Sequence, residues 1–481
     1  MEGMNPSDAQ DRPAKPAHTA GWGDLLGRGN GLKALALTGS VAMHAINVHI
    51  VTTVLPSVVQ EIGGLEWYAW STTLFVMASI IGASLSVRVL ASLGARKAMA
   101  GSLLLFALGT LLCASAPSMP MLLAGRAVQG LGGGTMAALS YMLIRAVFVP
   151  RMWPRAIALV SGMWGIATLS GPAVGGLFAQ SGHWRWAFWF LLPLIALQIA
   201  LVWVQLQPAR LLEKSSAPQT GIPARQIALL ALSVVLVAAA SVVPSGPWQW
   251  AFVLSGLAVG ALAIRVERRA AARLLPHGGT RLANPMGKLY AVITLLLMGT
   301  MVEIYVPYFL QHLHGLKPLT AGYVTALMAG GWSIASVGFS GAGPHQARQL
   351  MLIGPALCTT GLVLLALAMP SQAGMALSLN AAALTLIGLG VGMSWPHILN
   401  AVMHSAPKED ADAASAAIST VQLYGMALGA ALVGLLANAM GVSSSVEPQV
   451  LGRASFWLFA LFAACPALAL IAIRAFSRPA A

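Results

Sequence analysis

Glu303 lies inside the run Met301-Val302-Glu303-Ile304-Tyr305-Val306-Pro307-Tyr308-Phe309-Leu310-Gln311, within an apolar stretch that begins near Leu289. Of the 13 acidic residues it is the one placed at hydrocarbon depth; the others stand in the N-terminal tail or between apolar runs. A charge near the centre of a membrane helix costs roughly 2.5–3.5 kcal/mol on insertion scales, so it faces a bundle interior or a wet cavity, where a partner or a proton moderates the cost. The chemistry open to Glu303 is therefore to take up and release a proton. The structural alternative is a protonated carboxyl that ties two helices by one hydrogen bond.

Other polar residues share that depth. Arg126 stands in Gly125-Arg126-Ala127-Val128-Gln129-Gly130, and an arginine keeps its proton, so it needs a cavity, an anion or a hydrogen-bonding partner. His44, Asn47 and His49 make one apolar run unusually polar, and histidine titrates near neutral pH, so His44 or His49 can share proton handling or simply bond a backbone oxygen. His397 and Asn400 follow Pro396 one turn apart, as vestibule lining or as packing. Trp164, Trp332, Tyr305 and Tyr308 offer aromatic surface to an apolar or cationic ligand, or serve as core.

These residues need a membrane scaffold to position them. With 58% hydrophobic residues, 8% charged and a mean hydropathy of +0.78, the chain has more apolar surface than a soluble fold of 481 residues can bury. Apolar runs of spanning length occur at 33–59, 68–90, 98–116, 121–144, 156–179 and 186–204, two shorter ones at 227–243 and 250–264, and six more at 289–309, 321–339, 350–368, 375–402, 414–436 and 456–473. Continuous apolarity over about 20 residues excludes a β-barrel. The fold class expected is an all-α integral membrane protein with 14 transmembrane helices.

Charge supports that alternation. With the N-terminus cytoplasmic, only Arg185, Lys317 and Arg453 fall in outside gaps and only Arg126 within a span, so the remaining 23 of 27 basic residues lie inside. Both termini are then cytoplasmic. The net charge of +14 is thus topogenic, and no nucleic-acid partner is expected. Cys113, Cys358 and Cys465 all sit in apolar runs, which supports neither a disulfide framework nor a metal site. The organisation expected is a polar tail (1–32), a six-helix bundle (33–207), a linker with two extra helices (208–285) and a second six-helix bundle with a short tail (286–481). Its linker contains a Pro- and Ser-rich segment (208–224) and a basic stretch (265–273) that either lies on anionic headgroups or holds the inserted pair in place.

Three patterns carry a resemblance. Arg126-x-x-Gln129-Gly130 in the fourth run, Gly171-Pro172-x-x-Gly175-Gly176 in the fifth and Trp184-Arg185-Trp186 after it occur in the order and spacing of the major facilitator superfamily. Within it the chain resembles the fourteen-helix drug:proton antiporters of the QacA and EmrB type. The resemblance implies two six-helix bundles with two inserted helices, a substrate site between the bundles, conformational roles for Gly130, Gly171, Pro172, Gly175 and Gly176, and proton-driven export of small amphipathic or cationic compounds without a cofactor. It also implies a functional monomer in a bacterial-type inner membrane, whose partners are the substrate, protons and the bilayer. Two departures stand out. Gly94, Arg96 and Lys97 remain in the loop after the second run, but Ala91 replaces the usual aspartate; Asn47 stands where the first run usually carries another, leaving Glu303 as the coupling carboxylate.

An enzyme is not expected. No G-x-x-x-x-G-K-[ST] phosphate loop or nucleophile elbow occurs, and the cytoplasmic gaps are too short for a catalytic domain. A proton-coupled importer of a nutrient or siderophore, a lipid-handling flippase and a non-transporting membrane sensor remain as alternatives on the same scaffold.

Overall fold

The structure is a computed structural model that describes residues 22–27, 29–149, 152–206, 223–406 and 411–476. Residues 1–21 and 28 of the expected polar tail, 150–151 and 207 of the first bundle, 208–222 of the linker, and 407–410 and 477–481 of the second bundle and its tail lie outside the described residues.

Every regular element among the described residues is helical. In the first half these are α1 (Trp22–Leu26), α2 (Asn30–Ile62), α3 (Trp70–Ala114), α4 (Met119–Val147), α5 (Trp153–Gln180) and α6 (Arg185–Gln205). The two extra helices expected in the linker correspond to α7 (Ala224–Ala239) and α8 (Pro247–Arg269). The second half comprises α9 (Pro285–Thr300), α10 (Val306–His314), α11 (Pro318–Phe339), α12 (Pro344–Ala368), α13 (Ala376–Ser405), α14 (Ala411–Ala439), α15 (Pro448–Phe462) and α16 (Ala464–Phe476). Ten helical stretches among the described residues are long and apolar enough to cross a membrane, one of them the 50-residue stretch that contains α3.

Two expected spans, 68–90 and 98–116, are joined in α3, and Gly94 marks the join. Its φ of 73° and ψ of 168° are non-helical, a conformation that a side chain would strain. The pairing with α4 reverses there. Before Gly94, Ser71 O accepts from Arg126, Ser79 Oγ donates to Gly130 O and Gly82 O accepts from Thr135, so both chains advance together. After it, Thr110 pairs with Gln129 and Cys113 with Leu122, so they run in opposite directions. Thus α3 folds back at Gly94 into two arms, both of which pack on α4. Arg96 beyond the turn donates to Leu206 O and lies over the Trp203 ring, which ties the turn to the end of α6.

The same packing recurs in the second half. α11 advances with α13, where Met328 meets Gly388 and Trp332 meets Gly392, while α12 opposes α13, where Gly354 meets Gly390 and Gly361 meets Ala383. Ser336 donates to Gly392 O at 3.1 Å, as Ser79 does to Gly130 O at 3.1 Å.

The apolar run expected at 289–309 falls in one helical stretch, Pro285–His314, long and apolar enough to cross a membrane. A 3-10 turn, Met301–Tyr305, separates α9 from α10. Pro307 has no N–H to offer the carbonyl of Glu303, which accepts instead from Val306, one residue nearer. Glu303 therefore sits on a break in the helix.

Candidate functional site

Arg126 is 2% exposed and Gln129 is fully buried, both on the face of α4 that meets α2 and α3. An arginine at that depth needs its donors satisfied. Nη1 donates to Gln129 Oε1 at 2.7 Å, Nε donates to Ser71 O at 3.3 Å, and the guanidinium lies 4.0 Å from the centre of the Phe75 ring. Gln129 passes the contact on, its Nε2 donating to Asn47 Oδ1 at 3.2 Å and to Thr110 Oγ1 at 2.9 Å. One chain of hydrogen bonds, Arg126 to Gln129 to Asn47, thus crosses from α4 to α2. It contains no carboxylate. Glu61, at the far end of α2, pairs with Arg185 instead.

His44 extends this cluster. Its ring stacks on Phe75 at 5.1 Å and meets Trp164 edge-on at 6.2 Å, so Phe75 separates it from Arg126. His44 Nδ1 and Asn47 Nδ2 are buried without a hydrogen-bond partner. His49 sits apart, against Gly171 of α5, where an added Cβ would come within 2.3 Å of the His49 Cβ.

The glycine-proline motif of α5 forms a seam between the halves. A Cβ on Gly176 would lie 2.5 Å from Leu319 Cα on α11, and Gly322 of α11 faces Thr53 of α2 and Pro172 of α5. Tyr68 extends the seam, its ring 4.8 Å from Tyr305 and 5.7 Å from Tyr308. All three phenol hydroxyls are buried and unpartnered. Asn438 of α14 donates to Glu66 O at 2.7 Å and to Ser241 O at 2.9 Å, fastening both halves and the inserted pair at the same end. Beside this seam Glu303 is half-buried and has no recorded hydrogen bond or ion pair among the described residues.

Toward the opposite end of α11 a cleft of about 800 Å3 lies within the second half, lined by the end of α11, the start of α12, the end of α13 and Phe476 of α16, with His397 and Asn400 in its wall beside Arg348 and His404. His397 Nε2 lies 3.0 Å from Phe339 O. Trp332 pairs with Trp395 at 5.4 Å and belongs to neither the Arg126 cluster nor the tyrosine seam. The expected site residues therefore fall into three groups, with His49 and Trp332 outside them: Arg126, Gln129, Asn47, His44 and Trp164; Tyr305 and Tyr308 beside Glu303; and His397 with Asn400 in the cleft.

Sequence reasoning missed Ser71, Phe75, Thr110, Tyr68 and Trp395. None carries a charge or a motif, and each gains its role from a neighbour distant in sequence.

The sequence profile of the Major Facilitator Superfamily matches residues 37–430. The chain belongs to this superfamily. This facilitator is 37% identical over 431 residues to a probable multidrug-efflux transporter of Mycobacterium tuberculosis, covering 88% of this chain and 90% of the relative. It is 23% identical over 410 residues to multidrug resistance protein 3 of Bacillus subtilis, covering 83% and 78%. In fold it resembles a bacterial homologue of the human lysosomal transporter Spinster, with a TM-score of 0.61 at 14% identity over 93% of this chain and 97% of that one. The facilitator is a multi-pass membrane transporter.

Proposed function

We propose that this facilitator exports small amphipathic compounds in exchange for protons, by alternating access across fourteen spans of a bacterial inner membrane with both termini cytoplasmic. The observation that carries the proposal is Glu303, a carboxylate without a recorded partner on a helix break beside the seam between the halves. The similarity to a probable multidrug-efflux transporter supports the direction and the substrate class.

The span count rests on length. A helix of 45 residues measures about 68 Å at 1.5 Å per residue, against a hydrocarbon core of about 30 Å, so α3 supplies two crossings once it reverses at Gly94. α4 and α11, with 29 and 22 residues, are long enough to cross, and the 16 residues of α7 complete the inserted pair with α8. The first bundle, 33–207, then joins the second, 286–481, through the linker 208–285. We assign the cleft to the cytoplasmic side, because Arg88, Arg96, Lys97, Arg265, Arg268, Arg269 and Arg348 gather at that end. Compounds enter from that side, and opening of the tyrosine and glycine-proline seam releases them outside. Glu303 takes a proton from the outside and gives it up inside, with His44 and His49 as further proton-handling groups. The functional unit is a monomer that needs no cofactor.

A resistance screen tests this reading. Expression in an efflux-deficient bacterium raises the tolerated concentration of amphipathic compounds across a broad panel. Cells that instead accumulate a labelled solute above background identify an importer.

A further inference from the structure

A second pocket, of about 410 Å3, lies between the last turn of α8 and the start of α9. Glu267 lines it at 5% exposure, an unusual depth for a carboxylate outside the transport path. Its Oε1 accepts from the backbone N–H groups of Leu274 and Leu275 at 2.8 and 2.7 Å, while Oε2 is buried with no partner. Arg268, Arg273 and Arg281 line the same pocket, yet none is recorded in an ion pair with Glu267. The walls are fixed locally: Arg268 donates to Thr280 Oγ1 and O, Arg273 Nε to Ala270 O, and Gln226 of α7 to Ala272 O.

An orphaned acceptor beneath a rim of arginines matches a zwitterion. A buried carboxylate oxygen left bare costs free energy that an N–H donor recovers, and arginines at the mouth attract phosphate. Position selects the source. The pocket stands at the last turn of α8, a helix long and apolar enough to cross a membrane, which is the level at which lipid headgroups lie. A headgroup tethered in the bilayer is held at that level, whereas a soluble zwitterion is not.

We propose that this pocket holds the headgroup of a phospholipid with a primary ammonium, the ammonium on Glu267 Oε2 and the phosphate against Arg273 and Arg281. Purely anionic headgroups satisfy the arginines but leave Glu267 bare. Trimethylated headgroups offer Glu267 no N–H.

Native mass spectrometry of the full chain in detergent, with phosphatidylethanolamine, phosphatidylcholine or phosphatidylglycerol added singly, tests the assignment. One charge-assisted hydrogen bond predicts that the wild type retains phosphatidylethanolamine roughly tenfold better than phosphatidylcholine. Glu267→Gln keeps an acceptor for Leu274 and Leu275 and should level the two lipids, whereas Arg281→Ala should weaken both. Equal retention of the ethanolamine and choline lipids by the wild type overturns the proposal without recourse to any variant. Preference for phosphatidylglycerol, an unchanged ethanolamine preference in Glu267→Gln, or displacement of the lipid by equimolar O-phosphoethanolamine overturns it as well.

Discussion

Arg126 Nη1 and Gln129 Oε1 lie 2.7 Å apart on one face of α4, and through Gln129 the arginine holds Asn47 of α2. A planar guanidinium can bond Gln129 through one nitrogen and the Ser71 carbonyl through another while lying over Phe75; an ammonium cannot keep all three contacts. Arg126→Lys should therefore lower transport about tenfold or more, the loss of one charge-assisted hydrogen bond, with normal membrane insertion. Transport at the wild-type rate in reconstituted Arg126→Lys would show that charge alone suffices.

Asn47 separates the needs of the fold from those of proton coupling. Asn47→Leu removes the acceptor for Gln129 Nε2 and should cost about 1–3 kcal/mol, seen as a lower melting temperature in detergent. Asn47→Asp keeps the acceptor and adds a titratable group. The expectation is a folded protein whose proton-to-substrate ratio, read from reversal potentials in proteoliposomes, is raised; an unchanged ratio removes position 47 from the coupling path.

The apolar runs and the basic gaps made the spans legible, because the bilayer imposes length and the translocation machinery reads charge. Arg126 was legible as a residue in need of a partner, but Ser71 and Thr110 were not, since an isolated hydroxyl or carbonyl in an apolar run carries no signal until another helix arrives. The break at Glu303 was written in Pro307, four residues on, and was overlooked because the hydrophobicity around it is continuous. Tyr68 meets Tyr305 across more than two hundred residues, a pairing that no local pattern specifies.

The seam between α5 and α11 depends on the absence of a side chain at Gly176. Gly176→Val should reduce transport at least tenfold while the protein still inserts, since even a Cβ would stand 2.5 Å from Leu319 Cα and the closed arrangement would be lost to overpacking. Gly162→Ala, where nothing lies within 4 Å of the added Cβ, is the control and should transport normally.

The inserted pair makes a topological prediction. A reporter after Ser245, between α7 and α8, should behave as external and one after Ala272 as internal, because only the second lies among basic residues. If both report the same side, α7 and α8 are not two crossings and the count of fourteen fails.

The central claim is that Glu303 couples the proton gradient to export. Glu303→Gln keeps the shape of the side chain and fixes it in a neutral form, which should lock the protonated half of the cycle while sparing the substrate path. In proteoliposomes carrying an imposed pH gradient, the wild type should accumulate substrate against its own gradient. Glu303→Gln should fall to the level of protein-free liposomes while still binding substrate and exchanging it downhill. Accumulation driven by the pH gradient in Glu303→Gln would contradict the account and transfer the coupling role to His44 and His49.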